Sequence, residues 1–444
     1  MTHRYFTLAI LSSIFALGSC CSETATLSEI LSEDFSEDVL AKGTWTIAEG
    51  TDGATGTVSW VSDTGSASPG CLFISSEERT ETRVSHKLTG LKPGIVYRMS
   101  AKVRTEGVEE GRGAVLTVET DKSEQIWNAS EFVYGDNDWK QVYIDFIPSV
   151  QGEAQVSCGL GFHSGTYNGG TAKGKVWWDD VTVAQTTPDE LYMKEGEHII
   201  LAIDKDKMCV SDSVVARWIA NLDKVYESYK TLVGGTPYYG DKILILTTPG
   251  IEPGYWALAG NPILWNNHVG IDRLLKRTEE LDDWNFGILH EIGHTFSSYY
   301  TESGNTTNTD WNWNDEIFAN FRMSYALEQL GGKMSQRNVI YTGAENMDYY
   351  KIFYDETIGA GIAKNNGDAL HYTLMRIARK YGWDTYCTLF RNLYALPSSA
   401  TAHLNTDYSK FIFVLEKISE VVGEDVTKTC YTENELELIK QSLE

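Results

Sequence analysis

From about residue 30 to 186, apolar and polar positions alternate in short runs. They are Val58-Ser59-Trp60-Val61, Cys71-Leu72-Phe73-Ile74, Ile95-Val96-Tyr97-Arg98-Met99, Ala114-Val115-Leu116-Thr117-Val118 and Gln141-Val142-Tyr143-Ile144-Asp145-Phe146. Alternation with period two puts successive side chains on opposite faces of a strand, and the Gly, Asn, Asp and Pro clusters between runs form turns. The pattern predicts an antiparallel β-sandwich over 30–186. The texture then changes, with 187–194 as a linker and 195–444 as a second domain. In it, 198–203 and 242–246 are apolar enough to be buried strands, and 214–232 carries Val215, Ile219, Leu222, Val225 and Tyr226 at helical spacing. The run Ala257-Leu258-Ala259-Gly260-Asn261-Pro262-Ile263-Leu264-Trp265 suits a sheet edge, because proline removes a ladder donor. From Glu316 onward the pattern is helical to the C-terminus, with helices over 369–381, 383–394 and 410–422. The whole predicts a multidomain chain: a sandwich, then an α+β domain with a mainly helical C-terminal lobe.

One helix carries the chemistry. Asp282 and Asp283 read as its caps, and Trp284, Phe286, Ile288, Leu289, Ile292 and Phe296 as its apolar positions. Within it stands His290-Glu291-Ile292-Gly293-His294, an H-E-x-x-H motif. Residues i and i+4 share a helix face, so both imidazoles can bind one metal ion, with Glu291 beside the water that the ion polarises. A catalytic zinc needs a third protein ligand and an open position. Glu316, 22 residues after His294 and near the start of the next helix, is the candidate. Asp315 is the rival ligand but more naturally caps that helix. Asn320, four residues beyond Glu316, shares its face and is placed to orient a ligand from behind.

These residues resemble the enhancin-type family of gluzincin metallopeptidases, which includes viral enhancins and bacterial mucin-degrading peptidases. His290-Glu291-Ile292-Gly293-His294-Thr295-Phe296 is similar to that family's H-E-x-G-H followed by an aromatic, and the stretch from Trp313 through Glu316 to Asn320 to its Trp…Glu…Asn segment. Gly367-Asp368-Ala369-Leu370 through Tyr381-Gly382-Trp383-Asp384 resembles its later helix ending in Gly-Trp. The resemblance covers roughly 195–435 and implies a zincin-like fold. It also implies one catalytic Zn²⁺ on His290, His294 and Glu316, with Glu291 as general base. Where thermolysin-like relatives carry Asp, this chain has Asn320. For the oxyanion donor, Tyr349, Tyr350, His371 and Tyr372 stay open.

At the amino terminus, His3 and Arg4 precede an apolar run from Tyr5 to Leu17, too short to span a membrane stably and suited to a signal-peptide core. Leu17-Gly18-Ser19-Cys20 resembles a bacterial lipobox. Residues 1–19 are then a lipoprotein signal peptide, Cys20 the lipidated residue, 20–29 a linker, and the protein lies at the bacterial cell envelope, held by a lipid anchor. The other cysteines form no C-x-x-C pair, and buried free thiols are expected. The net charge of −25, from 62 acidic and 37 basic residues, argues against nucleic acid as partner. It also sits awkwardly with sulfated or sialylated mucin; Lys276-Arg277 is the nearest basic hint.

The sandwich closes on Gly174-Lys175-Val176-Trp177-Trp178-Asp179-Asp180-Val181-Thr182-Val183, which resembles the last strand of jelly-roll carbohydrate-binding modules. Pyranose rings stack on flat aromatic faces, so Trp60, Trp127, Tyr134, Trp139 and Tyr167 are candidates for a glycan platform, with Trp139 and one of Trp177 and Trp178 expected to be structural. The same resemblance implies a structural Ca²⁺ on Asp180 with Glu33 or Asp34. The reading that follows is a zinc-dependent peptidase acting on a glycoprotein or peptide substrate, O-glycosylated and mucin-like. The alternatives are a non-catalytic glycan-binding surface lipoprotein and a zinc aminopeptidase.

Overall fold

The computed structural model describes residues 30–50, 54–120, 128–162, 170–251, 255–301 and 304–444. Its first part is built of β1 (Leu31–Glu33), helix α1 (Val39–Lys42), β2 (Thr46–Glu49), β3 (Thr57–Val61), β4 (Cys71–Thr80), β5 (Thr82–Leu88), β6 (Tyr97–Glu109), β7 (Ala114–Glu119), β8 (Gly135–Phe146), β9 (Ala154–Leu160) and β10 (Ala172–Gln185). Two antiparallel sheets result: β3-β4-β10-β6-β8, with β1 also on β10, and β2-β5-β9-β7. Strand β6 shows why they pack face to face. Tyr97, Met99, Ala101, Val103 and Thr105 are buried, while Arg98, Ser100, Lys102 and Arg104 between them are half-buried on the other face. The inner face gathers Leu72, Ile74, Val84, Leu116, Ile144, Val176 and Trp178 into one core.

The second part adds β11 (Leu191–Glu195), β12 (Ile199–Asp204), α2 (Asp212–Val233), β13 (Ile243–Thr248), β14 (Ala257–Leu258), β15 (Ile263–Asn266), α3 (Ile271–Leu281), α4 (Phe286–Thr295) and α5 (Asp315–Leu330). Beyond these come β16 (Lys333–Gln336), β17 (Val339–Thr342), α6 (Asn346–Glu356), α7 (Gly367–Tyr381), α8 (Asp384–Tyr394), α9 (Ser398–Thr401), α10 (Asp407–Val422), α11 (Val426–Thr429) and α12 (Glu433–Leu443). Its mixed sheet runs β11-β12-β13-β15-β14, with β12, β13 and β15 parallel and the two edge strands antiparallel. The apolar stripe of α2 joins sheet and helices into one core, and Tyr229 of α2 donates its hydroxyl to the Leu289 carbonyl of α4 at 2.9 Å. A smaller cluster of Val96, Ile147, Leu191, Ala202, Leu244 and Leu246 joins sandwich to sheet. Among the described residues no helix is long and apolar enough to cross a membrane.

Three expectations need correction. The 187–194 segment is not wholly a linker, because β11 begins at Leu191, which is buried in the junction cluster and pairs with Asp204. The lower lobe is not helical throughout. Arg337 and Asn338 take φ of 50° and 62°, a two-residue turn that folds β16 against β17. Asp282 and Asp283 do not cap α4: Asp282 closes α3 in a left-handed conformation, and Asn285 precedes α4. The chain turns there through two residues of positive φ, so the acidic pair serves the turn; Asp283 accepts from the Asn285 amide at 2.9 Å. Cys71, Cys158 and Cys387 are buried free thiols, Cys209 is exposed and Cys430 half-buried.

Candidate metal centre

The sequence reason for the site is the close approach of α4 and α5. A Cβ on Gly293 would stand 2.8 Å from the Ala319 carbonyl oxygen and 3.1 Å from its Cα, so only glycine lets the two backbones meet there. Fully buried Arg322 of α5 fastens the contact. It donates to the Gly293 carbonyl at 3.0 Å, to Ser297 Oγ at 3.2 Å and to the Tyr394 hydroxyl at 3.1 Å. Asn314 caps α5 by accepting from the Glu316 amide at 3.0 Å, leaving Asp315 and Glu316 in the first turn, facing α4.

Three donor atoms then converge. His290 Nε2 lies 3.0 Å from His294 Nε2 and 3.0 Å from Glu316 Oε2, and His294 Nε2 lies 3.5 Å from Glu316 Oε1. Among the described residues, these three side chains are the group of His, Cys, Asp and Glu whose ligand atoms could share an ion. The donor chemistry fits zinc: tetrahedral ligands about 2.0–2.1 Å from an ion stand roughly 3.3 Å from one another. The opposite ring nitrogens fit too. His290 Nδ1 donates to Asn320 Oδ1 at 2.8 Å, and His294 Nδ1 to Asp315 Oδ2 at 2.5 Å. With each Nδ1 carrying the proton, both Nε2 atoms present lone pairs to the same point, an arrangement that calls for a cation between them.

With protons in place of an ion between them, the same groups shift one another's pKa values. Against burial, which lowers it, hydrogen bonds and charge from Asp315 and Glu316 push His294 up to about 9. Hydrogen bonds from His290 and His294 hold the Glu316 carboxyl well below the usual range. Burial raises Asp315, but the His294 hydrogen bond and the Arg322 charge outweigh it and hold it at about 2. Glu291, 9 % exposed, is pushed up by burial, with His290 and His294 opposing. A partly desolvated carboxyl set beside the three donor atoms is placed to exchange a proton with a group bound there.

The site opens into a cleft of about 630 Å³ lined by His290, Glu291, His294, Glu316 and, across from them, the edge strand β14 with Trp256, Ala259 and Gly260. Among the described residues β14 pairs on one side only, with β15, and a Cβ on Gly287 of α4 would strike the Trp256 ring at 2.5 Å, so the edge lies directly on α4. Asp315 was expected as a cap. Asn314 takes that role, and Asp315 orients His294 while accepting from Ser297 at 2.6 Å and Asn312 at 3.0 Å. Asn320 stands behind His290 and reaches Asp368 at 3.5 Å.

None of the four oxyanion candidates is among the residues lining the cleft. His371 is fully buried with its ring stacked 3.8 Å from Tyr350, which is also fully buried. Tyr349 is packed against Tyr341 and Phe353, and Tyr372 against Tyr354. Helical periodicity turns His371 into the core, where its Nε2 meets Ser324 Oγ at 3.1 Å. The phenols lining the cleft are Tyr238 and Tyr255, which no local motif marks.

On the sandwich, Trp60 is half-buried and donates its indole N–H to the Phe35 carbonyl at 2.7 Å, in register with buried Leu72. It therefore turns toward the inner face. Tyr134 is 45 % exposed and its hydroxyl donates to the Gly111 carbonyl at 2.7 Å. Trp127, Tyr167 and Cys20 lie outside the described residues. Trp178 is core, whereas Trp177 lies on the outer face, 4.9 Å from Phe73 and with the Arg104 guanidinium 4.8 Å above its ring. Asp180 accepts from Ser66 at 2.5 Å and from the Lys102 ammonium at 3.0 Å; Glu33 and Asp34 accept from the amides of Phe35 and Ser36. Lys102 thus stands beside Asp180 as its ion-pair partner.

No protein-family model matches the chain, and no curated protein matches it. Solved structures similar to part of it include a CBM22 xylan-binding domain from Paenibacillus barcinonensis, at 15 % identity and a TM-score of 0.26, covering 36 % of this chain and 95 % of that one. A family 61 carbohydrate-binding module in complex with β-1,4-galactotriose aligns at 16 % identity and a TM-score of 0.26, over 36 % of this chain and 99 % of that one. The enzymatically active domain of bacteriophage CBA120 tailspike protein 4 aligns at 10 % identity and a TM-score of 0.24, over 32 % of this chain; only 19 % of the tailspike is covered. The sandwich assignment stands on strand order and register, independently of these alignments.

Proposed function

We propose that the chain is a zinc-dependent peptidase with a zincin-like catalytic domain, cutting peptide bonds in O-glycosylated, mucin-like proteins from an anchor at the bacterial envelope. The observation that carries the peptidase reading is the convergence of His290, His294 and Glu316 in an open cleft, with Glu291 beside them and a free strand edge opposite. A zinc ion held by these three side chains would supply Lewis-acid chemistry, lowering the pKa of a coordinated water toward roughly 7 and polarising a carbonyl. Asn320 and Asp315 hold the two imidazoles in the donor tautomer. Glu291 takes the proton of the attacking water on a carboxylate oxygen and delivers it to the leaving amine nitrogen. β14 offers its outer backbone groups to an extended peptide, which adds as a further strand and presents its carbonyl to the site.

The glycoprotein part rests on the sandwich and on the resemblance of the zinc helix. Purified protein incubated with mucin-type glycoproteins, with and without their sugars, tests both. Chelator-sensitive, zinc-restored cleavage is expected, greater on the glycosylated form; no cleavage of either would overturn the reading. The outer-face Trp177, Phe73 and Arg104 favour a second one, glycan binding by the sandwich without hydrolysis, which predicts retention on glycan columns by protein that cleaves nothing.

A further inference from the structure

Sandwich and metal lobe are joined by more than apolar contact. Arg98 of β6 forms two 2.7 Å hydrogen bonds to buried Asp145 of β8 and reaches Asp204, at the end of β12, at 3.1 Å. Tyr143 donates to Asp204 at 2.9 Å, and the side-chain amide of Asn267, just past β15, donates to the same carboxylate. Fully buried Asn128 ties the same sandwich corner to the sheet. Its amide donates to the Asp145 carbonyl at 2.6 Å, and its Oδ1 accepts from Thr248 Oγ1, at the end of β13, at 2.6 Å. A Cβ on Gly250 would lie 2.1 Å from the Ser130 carbonyl oxygen, so the two loops touch backbone to backbone.

From Thr248 the connection runs directly to the cleft. Its carbonyl accepts from the Asn267 amide at 2.9 Å. Next to Asn267, Asn266 donates its side-chain amide to the Tyr255 carbonyl at 2.8 Å and its backbone amide to the Trp256 carbonyl at 3.2 Å. Asn128, Thr248, Asn267 and Asn266 are all buried, and from them the last hydrogen bonds reach exposed Tyr255 and half-buried Trp256, which lead into β14 at the cleft edge. Domain contacts within a chain are ordinarily mobile unless large and apolar, and this one adds a desolvated, charge-assisted network instead.

We propose that the sandwich is a working part of the cleft: through Asn128 and Thr248, as positioning residues, it fixes the strand edge on which the substrate backbone pairs. This rests on the peptidase reading above and extends it. An edge no longer held in place would pair the substrate backbone less well and reduce turnover at low substrate by about tenfold, as a loss of binding and not of the chemical step.

Thr248→Val removes the hydroxyl at nearly constant volume, and Thr248→Ser keeps it. Hydrogen exchange of full-length wild type and both variants is followed, with zinc content, kcat and KM on a peptide that the wild type cleaves. In the valine variant, amides from Tyr255 to Asn266 exchange faster by about tenfold while α2 and α7 stay protected. Zinc stays near one per chain, and KM rises about tenfold with kcat within about threefold. The serine variant restores both. Unchanged exchange and KM, or a uniform rise in exchange across the lobe, would overturn the role of the sandwich alone. Absence of any wild-type hydrolysis would overturn the peptidase reading and with it the pairing role of β14.

Discussion

The sandwich and the metal lobe are both rich in aromatic residues, yet they differ in how a single residue acquires a role. In the lobe, His290, Glu291, His294 and Glu316 are fixed by helix geometry, since i and i+4 share a face and Gly293 admits α5. In the sandwich, a tryptophan's role depends on which face of a strand it occupies, and one residue of register separates core Trp178 from outer-face Trp177. Periodicity of the helix broadcasts chemistry along one face, whereas periodicity of the strand divides neighbours between two environments.

The sharpest way to break that contrast is Glu291→Gln. It keeps the three donors and loses the proton carrier, so hydrolysis is expected to fall roughly 10²–10⁴-fold with zinc content unchanged, read by steady-state kinetics beside metal analysis. Equal activity would remove Glu291 from the chemistry. Next in size are the residues behind the donors. Asp315→Asn takes the charge from behind His294 and is expected to weaken zinc binding by roughly 10–100-fold in competition with a chromogenic chelator. Gly293→Ala, which forces α4 and α5 apart, should act in the same direction; wild-type affinity in both would mean that the helices do not set the site.

A smaller effect lies in the core of the lobe. Burial lowers His371 to about 3, so the folded state resists its protonation. A group with its folded pKa below the unfolded value of about 6.5 gives its full stability above that pH and loses it as pH falls toward 3. Between pH 6.5 and 5 the loss amounts to about 2 kcal/mol, and His371→Phe should flatten that slope in urea unfolding. The smallest expected change belongs to the sandwich. Trp177→Ala removes one stacking face, weakening glycan retention by about 1 kcal/mol while leaving zinc content and peptide hydrolysis untouched. Loss of hydrolysis in that variant would mean that the two regions are not separable in this way.

Much of the architecture was legible because its patterns are clean: the alternation of β6, the continuous apolar run of β7, the stripe of α2 and the helices of the lower lobe. Strands β5 and β9 were not, since Ser85, His86 and Lys87, and Ser157 opposite them, interrupt the apolar rhythm. β11 hid in a segment that composition reads as a linker, and β16 and β17 hid behind a double-glycine helix stop. In the site, the three donor side chains were legible from spacing. The task of Asp315 was not, because one residue of helix phase decides between a cap and a histidine partner, and Asn314 took the cap. Tyr238 and Tyr255 come from loops far apart in the chain, and only tertiary structure brings them to the cleft.

The central claim is a zinc ion shared by two imidazoles and one carboxylate. X-ray absorption spectroscopy of the zinc-loaded protein tests it most directly. Nitrogen and oxygen scatterers at about 2.0–2.1 Å with an imidazole signature are predicted, reduced by one imidazole in His294→Ala. A sulfur shell near 2.3 Å, or a spectrum unaltered in that variant, would contradict the account.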